Sequence, residues 1–282
     1  MHEQPRDERG RFAATDGLAQ WAAKRAGESP GKVLAQAKHV AKPLFSASEV
    51  AKLPNAIQQP DKDPAALYEH AKEAFKEQLK VLDEGQGLEK ALGATVVRMD
   101  KGEKPDLSKR GPVIEIGALK SQARAKEKVD SDYGGDWSRV GDVVRASVAV
   151  DSYAQLGQVI DKLKSSGVEL ARKPKDRFAH PTEAGYRDAL LNVRYSNGHV
   201  GELQLHLKPI LQAKAEGHKL YEKVRTIEAE AKREGRTRMT VAEMATVQQA
   251  NRASRTLNDR AWKKATSSMP KIRSWSLAWR SS

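Results

Sequence analysis

The chain has 282 residues, no cysteine and a formal net charge of +13, with 39% hydrophobic and 31% charged residues. The absence of cysteine excludes disulfides, thiolate metal sites and cysteine nucleophiles, and it suits a reducing cytosol. No apolar run reaches the roughly 18–20 residues of a membrane-spanning helix, so we expect no membrane partner. Together with the lack of cysteine, this favours a cytoplasmic location. Met1–Phe12 is charged throughout, so a Sec-type signal peptide is not expected there.

The positive charge is concentrated in the C-terminal part of the chain. Residues 208–282 hold 17 Lys+Arg against 7 Asp+Glu, whereas residues 63–207 hold 23 of each. Such a surplus favours a polyanionic partner such as nucleic acid. The alternative is a solvated helical surface, and composition alone leaves both open.

Residues 1–62 are predicted to form an extended N-terminal arm that is partly disordered, with a short helix near Leu18–Arg25. The arm is rich in Ala, Lys, Pro and Gln and has little hydrophobic periodicity. Its prolines interrupt any long helix; they are Pro43, Pro54 and Pro60.

The first strong helix is predicted to begin after Asp63, which can cap it, with Pro64 at the first helical position. One largely apolar face follows, and Gly85 marks the expected end. Residues 95–110 are charged, poorly periodic and contain Pro105, so they are predicted to be a loop.

A strand and a helix are predicted in the middle of the chain. Residues 113–129 start with a short apolar run and continue as a basic, helix-like run, so their state stays open. Val143–Val150 is mostly β-branched and apolar, which is typical of a strand. Asp151 or Ser152 is expected to cap the next helix, which ends at Gly167.

The clearest tertiary signal is a β-hairpin. Leu190–Tyr195 and His199–Leu207 are strand-like segments that flank the dipeptide Asn197-Gly198, a combination typical of tight hairpin turns. Val168–Leu170 and Arg177–Phe178 are shorter strand candidates.

Two helices are predicted after the hairpin, over residues 209–234 and 240–264, separated at Gly235. Trp275 and Trp279 follow in the tail at helical spacing. The order of elements predicts an α+β fold in which helices flank a mixed β-sheet, with a helical C-terminal extension.

Polar residues on the predicted strands suggest a metal site. Side chains alternate along a strand, so Glu202, Gln204 and His206 share one face, which is either solvated or the floor of a cleft. Asp142 lies just before the other confident strand. If the two strands are neighbours, Asp142 and Glu202 could share Mg²⁺, which takes one or two carboxylates and completes its shell with water and phosphate.

Basic and aromatic residues near these carboxylates could bind a nucleotide. Lys120, Arg124 and Lys128 are spaced four apart, so on a helix they form one stripe that either pairs with a triphosphate or faces water. Arg145 lies inside a β-branched run and is expected to have a carboxylate or phosphate partner. Tyr186 follows a glycine in a loop and either stacks on a purine or caps the core.

The order of these motifs resembles the synthetase domain of RelA/SpoT proteins, the alarmone synthetases. Lys175-Asp176-Arg177-Phe178-Ala179-His180-Pro181 is followed by Gly185-Tyr186 and by Glu202-Leu203-Gln204. The resemblance covers residues 113–225. It implies a nucleotidyltransferase-like fold and transfer of pyrophosphate from ATP to the ribose 3′-hydroxyl of a guanine nucleotide or a tRNA end. It divides the chain into an arm, a synthetase-like domain and a basic extension, at 1–62, 63–234 and 235–282.

The resemblance also assigns roles to individual residues. Asp142 and Glu202 match the metal-linked acidic residues, and Glu202, or a water it orients, takes the proton from the attacking hydroxyl. Tyr186 matches the tyrosine that stacks on the acceptor base. The remaining candidates for nucleotide binding are Lys120, Arg124, Lys128, Arg145, Lys175, Arg177 and Gln204.

Several positions depart from the family pattern and indicate a distant branch, toxin-like or phage-borne. The arginine and serine of the family's ATP-binding stretch fall on Ala118 and Arg124, and its histidine falls on Leu190. Its Arg-Thr pair falls on His206 and Leu207. Two alternatives therefore stay open, namely a non-catalytic nucleic-acid-binding or virion-associated protein with this fold, and an enzyme that transfers AMP and releases pyrophosphate.

Overall fold

The computed structural model describes residues 43–83, 87–103 and 105–267. The α-helices in these ranges are α1 (Ala47–Ala51), α2 (Pro64–Leu82), α3 (Leu88–Leu92), α4 (Gln122–Tyr133), α5 (Tyr153–Ser165), α6 (Lys208–Glu216), α7 (His218–Arg233) and α8 (Val241–Thr266). The strands are β1 (Thr95–Arg98), β2 (Val113–Ile116), β3 (Arg145–Val150), β4 (Glu169–Leu170), β5 (Lys175–Asp176), β6 (Ala189–Arg194) and β7 (Val200–Leu207). None of these helices is long and apolar enough to cross a bilayer.

The strands form one mixed sheet in the order β1-β2-β3-β7-β6-β4, and β5 also pairs with β6. The pairs β1–β2 and β3–β7 are parallel, and the other pairs are antiparallel. The predicted α+β fold and the predicted hairpin, now β6 and β7, are therefore confirmed. The central position of β3 and β7 decides where the candidate site lies.

Helix α2 forms where the sequence predicts it. The Asp63 carboxylate accepts a hydrogen bond of 2.9 Å from the backbone N–H of Ala66, and Pro64 occupies the first turn. The helix ends at Leu82, and Gly85 lies outside the described residues. Its buried residues are Leu67, Tyr68, Ala71, Ala74, Gln78 and Leu82.

The two faces of the sheet differ in polarity because side chains alternate along each strand. One face joins α2 and α5 in the hydrophobic core, to which the strands contribute Ile114, Ile116, Val148, Leu191, Leu203 and Leu205. The opposite positions carry polar groups, among them Glu115, Arg145, Ser147, Asn192, Glu202, Gln204 and His206. We call this second surface the polar face.

Two predicted elements are wrong. Thr95–Arg98, expected in a loop, is the edge strand β1, which its two valines favour. The single helix predicted over 209–234 is instead the pair α6 and α7, which meet at Gly217. A Cβ at Gly217 would lie 3.3 Å from the carbonyl oxygen of Ala213, which is a tight contact that the glycine avoids.

Two strand boundaries also shift. The strand expected at Arg177–Phe178 is β5, two residues earlier, because the Asp176 carboxylate accepts hydrogen bonds from the N–H groups of Phe178 and Ala179 and turns the chain. Strand β3 begins at Arg145 rather than at Val143.

Part of the predicted N-terminal arm, residues 43–62, packs on the sheet. Phe45 and Ile57 are buried, and the Gln59 amide donates a 2.8 Å hydrogen bond to the carbonyl of Val200. The domain boundaries at 62 and 234 stay predictions. Three predicted features lie outside the described residues, namely the helix near Leu18–Arg25, Trp275 and Trp279.

Candidate functional site

The structure brings Asp142 and Glu202 together at one end of the polar face. Strands β3 and β7 are parallel neighbours in a register that pairs Arg145 with Glu202, and Asp142 precedes Arg145 by three residues. Burial raises the pKa of Glu202; a hydrogen bond from Gln204 opposes this effect, and the negative charge of Asp142 adds to it. Two carboxylates distant in sequence therefore share one electrostatic environment.

Asp142 is the centre of an ion triad. The ammonium groups of Lys120 and Lys128 both lie 2.8 Å from Asp142 Oδ2. Lys120 is placed by its backbone N–H, which bonds the carbonyl of Val143 before α4 begins, and Lys128 lies two turns along that helix. Burial alone would raise the pKa of Asp142, but the hydrogen bonds from the two lysines outweigh it and lower that pKa.

The second oxygen of Asp142 makes this site suitable for a cation. Oδ1 is buried and has no hydrogen-bond partner among the described residues, a situation that costs about 1–3 kcal/mol unless a ligand relieves it. The described residues contain no cluster of three or more side chains able to hold a metal. Asp142 and Glu202 could instead supply two carboxylate ligands. Two are enough for Mg²⁺, because this ion completes its coordination shell with water and phosphate oxygens.

The remaining basic candidates differ in their surroundings. Arg124 is exposed on the first turn of α4, outside the ion triad. Arg145 is exposed and has no ion-pair partner among the described residues; a Cβ at Gly117 would lie 3.0 Å from its Cγ, so the glycine leaves room for the side chain. Lys175 is exposed in part. Partial desolvation is the main cause that lowers the pKa of its ammonium group, and repulsion by the positive charges of Arg172 and Arg177 adds to the effect.

Tyr186 lies at the other end of the polar face. Its hydroxyl donates to Asp188 Oδ2 over 3.2 Å, and Arg177 donates to Asp188 Oδ1 over 2.5 Å. The Lys214 ammonium lies 5.3 Å from the centre of the Tyr186 ring. Tyr186 is partly buried against the core, and its stacking on a base stays a prediction.

Gln204 connects the two ends. Its amide nitrogen donates a 2.7 Å hydrogen bond to Glu202 Oε1, and its amide oxygen lies 3.1 Å from His206 Nε2. His206 is buried, and burial, assisted by the positive charges of Lys214 and Arg177, lowers its pKa to about 3. Gln204 therefore acts on Glu202 directly.

Sequence reasoning missed two carboxylates of this face. Asp188 is buried directly before β6, a position like that of Asp142 before β3, and this likeness is the signal that could have identified it. Glu115 pairs with Ser147 on β3 and so faces the same side as Gln204. Burial raises the pKa of Glu115.

The C-terminal helix α8 contacts the loop that carries Tyr186. Asn258 is buried, and its amide donates a 2.8 Å hydrogen bond to the carbonyl of Ala184. Arg187 lies 4.6 Å from the centre of the Trp262 ring, a cation–π contact. Gly185 has φ of +72°, which favours glycine, and a Cβ there would lie 3.3 Å from Arg255 Cγ.

No protein-family model and no curated protein matches the chain. Among solved structures, the complex of the Type VI effector Tas1 with its immunity protein is similar at 21% identity and a TM-score of 0.46, covering 71% of this chain and 96% of that chain. The small alarmone synthetase 1 of Bacillus subtilis bound to its product pppGpp matches at 14% identity and a TM-score of 0.42, over 74% and 100%. A GTP pyrophosphokinase family protein from Streptococcus pneumoniae matches at 13% and 0.40, over 70% and 88%. At these identities and TM-scores each match is a distant likeness to a solved structure.

Proposed function

We propose that the protein is a Mg²⁺-dependent pyrophosphokinase that transfers the pyrophosphate of ATP to a ribose 3′-hydroxyl, either of a guanine nucleotide or of a tRNA end. The convergence of Asp142 and Glu202 on one face carries the proposal, because Asp142 Oδ1 lacks a partner and cationic side chains surround the pair. Lys120, Lys128 and Lys175 supply that positive charge.

The proposed reaction exchanges one phosphorus–oxygen bond for another. The acceptor 3′-oxygen attacks the β-phosphorus of ATP and forms a new ester bond, while the bond from that phosphorus to the oxygen bridging the α-phosphate breaks and AMP leaves. The hydroxyl proton passes to Glu202, or to a water that Glu202 orients. The raised pKa of Glu202 makes this carboxylate a stronger base than an ordinary glutamate. Its Oε1 accepts from Gln204, which leaves Oε2 as the oxygen that would take the proton.

The cationic side chains divide between the two substrates. Lys120, Lys128 and Arg145 lie at the Asp142 end and would offset the charge of the ATP phosphates, with Arg124 as their exposed neighbour. Acceptor phosphates would meet the other group, Lys175 and Arg177. Mg²⁺ held by Asp142 and Glu202 would, when bound, neutralise charge on the transferred group. Most of the rate enhancement would come from positioning and charge neutralisation.

The test is transfer of label from γ-³²P-ATP to a panel of acceptors that includes GDP, GTP and deacylated tRNA. We expect Mg²⁺-dependent labelling of one acceptor class by the wild type and a loss of about 10²–10⁴-fold in Glu202→Gln. Glu127→Gln is the matched control, because Glu127 is an exposed residue of α4 outside the site. Equal labelling by E202Q and E127Q would refute the assignment of Glu202.

A second candidate function is non-catalytic binding of nucleic acid. Exposed basic residues on α7 and α8 favour it, and they include Lys219, Lys223, Arg225, Arg252, Lys263 and Lys264. This function predicts DNA or RNA binding that weakens steeply with salt, without affinity for ATP. Binding of a fluorescent ATP analogue separates the two candidates, since only the pyrophosphokinase requires it.

A further inference from the structure

A continuous row of polar side chains crosses the polar face from Glu202 to Arg177. The row starts at Glu202, whose Oε1 lies 2.7 Å from Gln204 Nε2, and continues from Gln204 Oε1 to His206 Nε2 at 3.1 Å. His206 Nδ1 lies 3.5 Å from the Tyr186 hydroxyl, which in turn lies 3.2 Å from Asp188 Oδ2. Arg177 ends the row with a contact of 2.5 Å to Asp188 Oδ1. His206 is only 2% exposed and Asp188 only 3% exposed. The row therefore joins the proposed base to the proposed acceptor side, and two of its members are shielded from water while the others are half-buried.

Donor and acceptor chemistry fixes the hydrogens along this row. A carboxylate only accepts, so the Gln204 NH₂ group faces Glu202 and the Gln204 carbonyl faces His206. His206 Nε2 must then carry the hydrogen, and the Nδ1 lone pair faces the Tyr186 hydroxyl. The Tyr186 hydroxyl has one hydrogen, which it donates to Asp188, so His206 Nδ1 packs beside that oxygen without receiving a hydrogen bond. The Nε2–H donor pairs with the Gln204 oxygen, and an aliphatic side chain at 206 would remove that donor.

We propose that His206 is a positioning residue which, as its Nε2–H tautomer, orients the Gln204 amide toward Glu202 and packs beside the Tyr186 hydroxyl that donates to Asp188. This inference rests on the proposed pyrophosphate transfer, because Glu202 and Tyr186 are the groups that would touch the acceptor. His206 touches no substrate and acts through its two neighbours. One buried ring thus sets the geometry of both the proton acceptor and the aromatic contact for the acceptor base.

The two connections predict a kinetic pattern in His206→Leu. Without the Nε2–H donor, the Gln204 amide no longer has a fixed orientation toward Glu202, so kcat should fall about tenfold, the size expected for one hydrogen bond. Without Nδ1, the Tyr186 ring loses a neighbour, so the KM for the acceptor should rise several-fold. The KM for ATP should stay within twofold, because Lys120 and Lys128 lie outside the row.

A spectroscopic measurement tests the tautomer without any substrate. In the full chain labelled with ¹⁵N-histidine and ¹⁵N-glutamine, long-range proton–nitrogen correlations distinguish Nε2–H from Nδ1–H, and His206→Gln identifies the signal. We expect a neutral Nε2–H ring at pH 7 and protected side-chain NH₂ signals of Gln204 that lose protection in H206L. An Nδ1–H ring, a charged ring or unchanged Gln204 signals would overturn the proposal, even if no acceptor were found and the proposed function itself had failed.

The kinetic test asks whether a conservative substitution of His206 restores kcat. His206→Gln places an amide donor near the Gln204 oxygen and should recover most of kcat, whereas H206L should not. His218→Leu is the control, since His218 is an exposed residue of α7 far from the row in sequence. Equal losses in H206Q and H206L, or no loss in either, would overturn the positioning role. If circular dichroism shows H206L unfolded, near-wild-type kcat in H206Q together with the tautomer supports the proposal, and a tenfold loss in H206Q contradicts it.

Discussion

The two ends of the polar face are built by different means. At the Asp142 end, two lysines neutralise one carboxylate oxygen and leave the other without a partner. At the Tyr186 end, Asp188 and His206 are buried; Asp188 accepts a hydrogen bond from the Tyr186 hydroxyl, and His206 Nε2 pairs with the Gln204 oxygen. At the first end a bound ligand could change which groups pair with Asp142, whereas at the second end hydrogen bonds hold the side chains in one arrangement. A site that moves a charged group needs both properties.

Removing the charge of Asp142 should have a larger effect than any change at the Tyr186 end. Asp142→Asn removes one proposed Mg²⁺ ligand and leaves Lys120 and Lys128 without their counter-charge. We expect kcat/KM for ATP to fall about 10²–10³-fold and the Mg²⁺ concentration for half-maximal rate to rise. Initial rates over a Mg²⁺ series measure both quantities. A rate and Mg²⁺ dependence equal to the wild type would show that the two ends do not differ as described.

Acid should destabilise the fold through its buried imidazoles. Burial, with the charge of His70 as a smaller cause, lowers the pKa of His199 to about 4, and the pKa of His206 is about 3, against an ordinary value of 6.5. The unfolded chain therefore binds protons that the folded chain does not below pH 6.5. The contribution of these neutral imidazoles to stability should be complete above pH 6.5. The free energy of unfolding should then decrease as the pH falls toward 4, by roughly 3 kcal/mol per histidine.

Urea unfolding at a series of pH values measures this loss. His199→Leu should flatten the dependence between pH 6.5 and 4, whereas His218→Leu, at an exposed position, should leave it unchanged. An unfolding free energy in H199L that falls as steeply as in the wild type would exclude His199 as the cause.

Weakening the contact between α8 and the Tyr186 loop should affect the acceptor alone. Asn258→Ala removes the hydrogen bond to Ala184, so the loop loses a fixed point and the KM for the acceptor should rise about tenfold. The KM for ATP should stay within twofold. Gln248→Ala, at an exposed position of the same helix, is the matched control for steady-state kinetics. A rise in both KM values would mean that α8 supports the whole site rather than its acceptor end.

The smallest effect separates two arginines at the Asp142 end. Arg145 has no ion-pair partner among the described residues and lies beside Glu202 in register, so Arg145→Ala should raise the KM for ATP about fivefold to tenfold. Arg124→Ala should change it by about threefold or less, because Arg124 is exposed on α4 outside the ion triad. Isothermal titration with a non-hydrolysable ATP analogue gives the same ranking without turnover. The reverse order would contradict the assignment of Arg145.

The sequence indicates the Asp142 end better than the Tyr186 end. Hairpin turn, strand alternation and the motif order place Glu202, Gln204 and Asp142, and the order of elements predicts the α+β fold with its mixed sheet. The ion triad around Asp142 depends on how the start of α4 packs against the segment before β3, and the approach of Asp142 to Glu202 depends on the β3–β7 pairing. The element order allows both arrangements but requires neither. Asp188 and the His206 contacts depend on side-chain packing between a loop and β7, and no local pattern encodes it. Thr95–Arg98 was not predicted as a strand because four residues are too few to show the alternation that identifies a strand.

The bond that breaks in ATP tests the central claim most directly. In a ³¹P NMR time course with Mg²⁺, ATP and the preferred acceptor, the wild type should produce AMP and an acceptor 3′-diphosphate in equal amounts, and Glu202→Gln should produce neither at a measurable rate. Release of free pyrophosphate with an adenylylated product, or of ADP with phosphate, would contradict attack at the β-phosphorus and with it the proposed function.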